Sequence, residues 1–276
     1  MKTFRLLLII LLLTTFCCSP ASAAKAFVIG VAPHTSARVI LEMYQPLRLH
    51  LEKELGCRVD VVTAPNFDEL ARRALTGNYD MVITTGHQAR LLQIDAGYIP
   101  LVTYRANFKA VALVKADGPV INPSDLKGQE VLGLSRSSLV TMWGEQWLKS
   151  RRIKTRPIRY VSASDSVAQL VAAGEAAAGF TSLANFQRLP AKLRSRLRVI
   201  AESSPMAGRI YMFNPRSPAS QKAISAALWS FATTTAGRKY FTIHNLGGYR
   251  QVTNTELRQL DSYAALVRKV IRSSQK

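Results

Sequence analysis

From residue 26 onward the chain switches repeatedly between two periodicities. Short continuous apolar runs alternate with stretches whose apolar residues recur every three or four positions. The first kind reads as a buried strand and the second as an amphipathic helix. "AFVIGVA" (26–32), "CRVDVVTA" (57–64) and "YDMVITT" (79–85) are strands by this rule. "ARVILEMYQPLRLHLEKELG" (37–56), "NFDELARRALTG" (66–77) and "HQARLLQIDAG" (87–97) are helices. Gly56 and Gly77 close the first two, and Pro46 either kinks the first or opens a new turn in it. "IPLVTYR" and "KAVALVKAD" follow as two more strands. Strands that alternate with helices in this way form a mostly parallel sheet covered on both faces.

A second series begins at "SDLKG" (124–128), a short capped turn. "QEVLGL", "IRYVSA", "AAAGFTS" and "RVIAES" are its strands; "VTMWGEQWLKSRR", "DSVAQLVAAGE" and "FQRLPAKLRSRL" are its helices. After "PMAGRIYMFNP", a last strand, the pattern is mainly helical, in "SQKAISAALWSFATTTAGRKYF" and "NTELRQLDSYAALVRKVIRSSQ". No Gly/Ser tether separates the two series, so two lobes joined by crossing strands are expected rather than independent beads.

The N-terminus sets the compartment. Lys2 and Arg5 precede an apolar run from Leu6 to about Cys18, and "SPASAA" follows. That is a cleavable export signal over residues 1–23, with cleavage after Ala23 or its neighbour Ala24. A lipid-modified Cys17 or Cys18 would need a small residue before it, where Phe16 or Cys17 stands. Cleavage also removes two of the three cysteines and leaves Cys57 alone, so the mature chain has no internal disulfide. The whole chain carries a formal charge of +20, and the signal takes only Lys2 and Arg5 from it. Such a balance would suggest nucleic acid, but an exported protein has no such substrate. The densest basic stretches, 149–159 and 188–198, read as solvated faces, as a field that draws anions inward, or as a patch for an acidic membrane surface or partner.

As an enzyme the chain is unconvincing. It has no Gly-x-Ser-x-Gly, no Cys-x-x-Cys and no His-Glu-x-x-His, and its four histidines are scattered. Neither a cofactor nor a metal is expected. The stretch "SRSSLVTMWGEQWL" (135–148) is more informative, because it puts three serines and Arg136 where a strand passes into a helix. A helix start presents unpaired N–H groups and the positive end of the dipole, which suits an anion. It is also where any helix takes a serine cap.

The first 60 residues after the signal resemble the first lobe of the periplasmic binding proteins of phosphate, phosphite and phosphonate importers. Gly30, Pro33, Pro46, Leu47, Leu51, Gly56, Val59, Ala64, Pro65, Leu70, Gly77, Asp80 and Gly86 carry the match. "ALVKADGPVINPSDLKGQEVLGLSRSS" and "AQLVAAGEAAAGF" continue it through the second lobe. The resemblance implies an α/β fold of the two-lobed type II kind, each lobe a mostly parallel sheet flanked by helices, with a hinge of crossing strands. Lobe 1 is then 25–104 plus 207–276, and lobe 2 is 105–206. It further implies a periplasmic monomer that captures a small anionic ligand and delivers it to an ABC permease. A ligand sensor that signals to a membrane receptor or kinase is the alternative.

In that family the oxyanion sits on hydroxyls and N–H groups at the start of the second-lobe helix. Here those positions are Ser137 and Ser138, with Leu139 where glycine is usual. Arg136 either adds a bidentate charge or faces solvent, and Ser135 is the candidate N-cap. Phe67 and Phe108 stand where the family has tyrosines, Ser164 where it has histidine, and Ala184 near its amine-binding acid. An acid in the "AAGEAAAG" stretch is likewise replaced, by Ala177. His34, Thr35 and Ser36 lie at the first strand-to-helix turn, where their polar groups can cap a helix, ligate, or both. Thr85 and His87 close the third strand; His87 is either an anion ligand when protonated or a capping residue.

Overall fold

The apolar runs become strands and the helical spacings become helices. The computed structural model describes residues 26–273, so the expected signal peptide lies outside the described residues. In chain order the first series is β1 (Phe27–Val31), α1 (Ala37–Leu55), β2 (Val59–Thr63), α2 (Phe67–Leu75), β3 (Met81–Thr85), α3 (Gly86–Ala96) and β4 (Ile99–Tyr104). The second is β5 (Ala110–Lys115), a single 3-10 turn at Pro123–Leu126, β6 (Val131–Gly133), α4 (Leu139–Ser150), β7 (Arg159–Tyr160), α5 (Ser164–Ala173) and β8 (Ala178–Ser182). Then come α6 (Leu183–Arg188), α7 (Ala191–Arg194) and β9 (Leu197–Glu202). The chain ends with β10 (Arg209–Phe213), α8 (Gln221–Thr233), α9 (Thr235–Ile243), β11 (Tyr249–Arg250), α10 (Asn254–Arg258) and α11 (Asp261–Ser273). Among the described residues no helix is long and apolar enough to cross a membrane.

Helix α1 runs through Pro46 without a break and buries Ile40, Met43, Tyr44, Leu47 and Leu51 on one face. It stops at Gly56, whose left-handed φ of 64° lets its N–H reach the Glu52 carbonyl. Three expected helices each divide in the structure; "NTELRQLDSYAALVRKVIRSSQ" splits into Asn254–Arg258 and Asp261–Ser273. "FQRLPAKLRSRL" breaks at Pro190, which supplies no N–H and forces Leu189 out of the helical region, to ψ 145°. "SQKAISAALWSFATTTAGRKYF" breaks at Thr234, which ends α8 and caps α9 by accepting from Gly237 N at 2.9 Å. A Cβ on Gly237 would lie 1.8 Å from the Phe231 carbonyl oxygen, so only glycine allows that turn.

The described residues form two sheets. The first has the order β11-β4-β10-β3-β1-β2, and the second β7-β6-β8-β5-β9. β1 pairs parallel with β2 and β3, and β6 with β7 and β8. β10 is antiparallel to both β3 and β4, and β5 to both β8 and β9. Each sheet is therefore mixed. β5 and β10, which follow the passages between sheets, run against both of their neighbours, and β11 at the edge of the first sheet is antiparallel to β4.

The helix that opens on the cleft packs tightly. A Cβ on Gly144, in α4, would fall 2.4 Å from the Phe180 ring of β8. That ring is fully buried and set edge-on to Trp143 and Trp147 at 6.1 and 6.4 Å, so it cannot yield. Alanine in a helix gains at most about 1 kcal/mol over glycine, and overpacking costs about 1–3 kcal/mol. Gly144→Ala is expected to lower the thermal unfolding midpoint by a few degrees; a rise would show that the helix can lift off the sheet freely.

Candidate ligand-binding cleft

The chain passes between the sheets at residues 105–109 and 203–208. The two passages touch through an antiparallel bridge, with Met206 N donating to the Phe108 carbonyl at 2.9 Å. Beside them is a cavity of ≈ 50 Å³ whose walls come from both sheets. His34, Phe67, Thr85 and Arg209 line it from the first sheet's side; Ser138, Leu139, Ser164 and Asn185 line it from the second's. Phe108 closes it at the crossing. An outer groove of ≈ 400 Å³ adjoins it and shares Ser164 and Asn185. The groove is walled by Thr35 and His244 on one side and by Asp165, Thr181 and Arg188 on the other.

The start of α4 is shaped by short-range bonds. Thr141 Oγ1 accepts from Leu134 N at 2.9 Å, and Ser138 N donates to the Ser135 carbonyl at 3.1 Å. The helix begins at Leu139, with Ser138, not Ser135, as its N-cap residue. The Ser138 side chain makes no capping bond, lines the cavity and is 2% exposed. Its hydroxyl therefore stands beside the open N–H groups of Leu139 and Val140, which is the donor arrangement an oxyanion needs.

Several expected ligands do other work. Ser137 is buried and its hydroxyl donates to the Asp68 carboxylate across the sheets. Burial raises the Asp68 pKa, and the Arg136 charge works against that rise. Arg136 itself is exposed and is not among the residues that line the cavity. His87 corrects the expectation of a protonated anion ligand. It is fully buried, and its Nε2 lies 2.7 Å from the Ser137 carbonyl, which can only accept. Nε2 therefore carries the proton, and Nδ1 accepts from Thr85 Oγ1 at 3.0 Å. Burial holds its pKa down at about 4, so it is neutral, and it serves as a strap between the sheets. Ser164 Oγ donates to the His34 carbonyl at 3.1 Å, a second strap, which Asn185 Nδ2 doubles at 3.1 Å. Ser36 is the N-cap residue of α1 and does not line the cavity, while Thr35 lines only the outer groove.

His34 is different. Its Nδ1 donates to the Ala32 carbonyl at 2.7 Å, so the lone pair of the neutral ring is on Nε2. That nitrogen is buried with no hydrogen-bond partner. Burial, then Arg209 and Arg188, push its pKa well down.

The sequence reading missed Arg209, Arg188 and Asn185. Arg209 opens β10, donates to Tyr44 OH at 3.3 Å and lies over the Tyr104 ring at 5.8 Å. It has no ion pair among the described residues. A charged residue heading the return strand "RIYMF" was the available signal, and Asn185 sits three residues beyond β8, at the strand end where ligands collect.

Among known families, residues 29–257 match the one described as "ABC transporter, phosphonate, periplasmic substrate-binding protein". No curated protein matches the chain. Among solved structures, a Prochlorococcus marinus protein in complex with methylphosphonate superposes with a TM-score of 0.78 at 14% identity, over 89% of this chain and 99% of that one. A binding-protein component of a phosphonate ABC transporter from Pseudomonas aeruginosa gives 0.75 at 12%, over 91% and 99%. A Xanthomonas citri protein bound to chloride gives 0.72 at 19%, over 90% and 99%. At these identities the likeness is one of fold.

The straps predict a pH dependence. His34, His87 and His244 all have pKa values lowered by burial, His87 and His244 to about 4. A lowered histidine binds fewer protons folded than unfolded. Its stability is complete above the unfolded pKa, near 6.5, and is lost as pH falls toward 4, at up to about 1.4 kcal/mol per unit for each group. Asp68, raised, works in the opposite direction. Urea unfolding at pH 7, 6 and 5 should show falling stability. His87→Gln, which keeps an N–H for the Ser137 carbonyl but cannot titrate, should make the fall shallower.

Proposed function

The chain belongs to the phosphonate family of periplasmic substrate-binding proteins of ABC transporters, and from that premise we propose that it captures a small phosphonate-like or phosphate-like oxyanion between its two sheets. The observation that carries this reading is the pairing across the cavity. On one side are a helix N-terminus and the free hydroxyl of Ser138; on the other is Arg209, with no carboxylate partner. A buried guanidinium without a counter-anion calls for one. The cavity also sets the size. At ≈ 50 Å³ it suits a tetrahedral group of a few heavy atoms, the scale of the methylphosphonate bound by the Prochlorococcus marinus relative.

In this reading Ser138 Oγ and the N–H groups of Leu139 and Val140 hold the oxygens, and Arg209 supplies the charge. His34 Nε2 accepts a hydrogen bond from a protonated oxygen of the ligand. Phe67, Phe108 and Leu139 wall off water, which strengthens each of these contacts. The two lobes, 25–104 plus 207–276 and 105–206, close by rotation about the two passages. The closed monomer then presents both lobes to a permease. Transport fits the family; the sensor alternative gains no support from the matches.

Thermal unfolding of the mature protein against phosphate, phosphite, methylphosphonate, ethylphosphonate and sulfate tests this. A ligand at 100 times its Kd stabilises by about 2.7 kcal/mol, a shift of roughly 5–10 °C for a chain of this size. Arg209→Met should weaken binding by about 10- to 100-fold, since charge-assisted bonds are worth about 1.5–3 kcal/mol. Ser138→Ala should weaken it by about tenfold, and Arg136→Ala should leave it unchanged. A flat response across the panel would remove the oxyanion reading.

A further inference from the structure

Arg209 is not the only guanidinium in the cleft without an acid. Arg188, at the end of α6, donates through Nε to the Ala184 carbonyl at 3.2 Å and through Nη2 to Asn185 Oδ1. Its remaining contact, at 4.0 Å, is with Met43 Sδ, in α1 on the other side of the cleft. Arg209 Nη1 touches the same sulfur at 3.6 Å. Two guanidiniums from opposite sheets therefore converge on one thioether, and neither has an ion pair among the described residues. Their mutual repulsion is not offset by any protein carboxylate between them. Burial and Arg209 bring the Arg188 pKa to about 10, still protonated at neutral pH.

The pair is placed along a path. Arg209 lines the inner cavity, and Arg188 lines the outer groove. Asn185, on the wall between them, lines both and fixes Arg188 through its side-chain oxygen. Thr181 Oγ1, on the groove, is buried without a hydrogen-bond partner. His244 also faces the groove, neutral because burial, Arg188 and Arg209 lower its pKa to about 4. The one carboxylate lining the groove among the described residues is Asp165, in the first turn of α5; its Oδ1 is likewise buried without a hydrogen-bond partner, and it forms an ion pair with neither arginine.

We propose that the ligand is a phosphonate or phosphate carrying a second acidic group, whose oxyanion fills the inner cavity while its carboxylate reaches past Asn185 to Arg188. This rests on the oxyanion reading above. It assigns the outer groove as a second anion subsite and selects acidic tails over neutral or amino ones. A carboxylate suits the position because the planar guanidinium fork matches it in geometry and charge. An ammonium tail would meet two unpaired arginines.

Isothermal titration of the mature protein with three ligands of equal backbone length tests the subsite: ethylphosphonate, phosphonoacetate and 2-aminoethylphosphonate. Phosphonoacetate is expected to bind about tenfold tighter than ethylphosphonate or better, and the amine weaker than either. Arg188→Met should bring phosphonoacetate to within about twofold of ethylphosphonate while leaving ethylphosphonate binding intact, which also shows that the variant folds. Arg188→Lys should keep part of the preference. If ethylphosphonate binds and phosphonoacetate binds no tighter, the second subsite is overturned and the oxyanion reading stands. A preference that survives Arg188→Met also overturns it. If no phosphonate binds, both readings fall.

Discussion

A guanidinium held between two sheets must be solvated by something other than bulk water, and at Arg209 that work falls to tyrosines. Tyr44 accepts from it at 3.3 Å, and the Tyr104 ring lies beneath it at 5.8 Å. Behind them the Tyr104 hydroxyl meets those of Tyr211 and Tyr240 at 2.7 and 2.5 Å, and Tyr249 donates to Tyr211 at 3.0 Å. Burial pushes the pKa values of Tyr104, Tyr211, Tyr240 and Tyr249 upward, so the network stays neutral and can pass hydrogen bonds in either direction. A carboxylate at this place would have satisfied the arginine and cancelled its charge. Hydroxyls and π faces orient it and leave the charge for a ligand. Arg209 is also the first residue of the returning strand β10, paired with Thr85, which like it lines the cavity.

The frame of this molecule is written in periodicity, and so it was legible. Apolar runs and helical spacings are properties of neighbours in sequence, and Gly56 or Asn66 acts on its own turn: Asn66 caps α2 by accepting from Glu69 N at 2.8 Å. The cleft is written in long-range pairs, and so it was only partly legible. The start of α4 could be found because strand, serines and helix are adjacent in the chain. That Ser138 is free while Ser137 is engaged depends on Asp68, 69 positions away. That His87 is a strap depends on a carbonyl 50 positions away. Arg209 and Arg188 are brought together by Met43, 166 and 145 positions distant. No local pattern encodes that meeting. The resemblance to oxyanion receptors pointed to the start of α4 as the place for an anion, while the replacements at Phe67, Phe108, Ser164 and Ala184 marked where the family's pattern stops.

Those replacements form one change rather than several. Ser164 Oγ and Asn185 Nδ2 are committed to the His34 carbonyl and to each other, at 2.9 Å, and Asn185 Oδ1 to Arg188. They tie the lobes instead of reaching for a ligand. Ala184 offers only its carbonyl, and Arg188 takes it. Phe67 and Phe108 supply wall without donors. Polar recognition is thereby concentrated on a helix N-terminus, a hydroxyl, one histidine lone pair and two arginines. Apart from that lone pair, all of these favour negative charge.

The straps then determine what a ligand has to contribute. His87 to Ser137, Ser137 to Asp68, and Ser164 with Asn185 to His34 are bonds the protein makes to itself across the cleft. They favour closure whatever is bound, so they add nothing to discrimination between ligands. A ligand shifts the open–closed balance only by its differential affinity for the two forms. Across the same cleft the two arginines reach from opposite sides to within 4.0 Å of one sulfur, with like charges facing. An anion between them would relieve that repulsion, and an uncharged molecule would not. The straps bring the lobes together, and the unpaired arginines make that approach favourable chiefly when negative charge is inside.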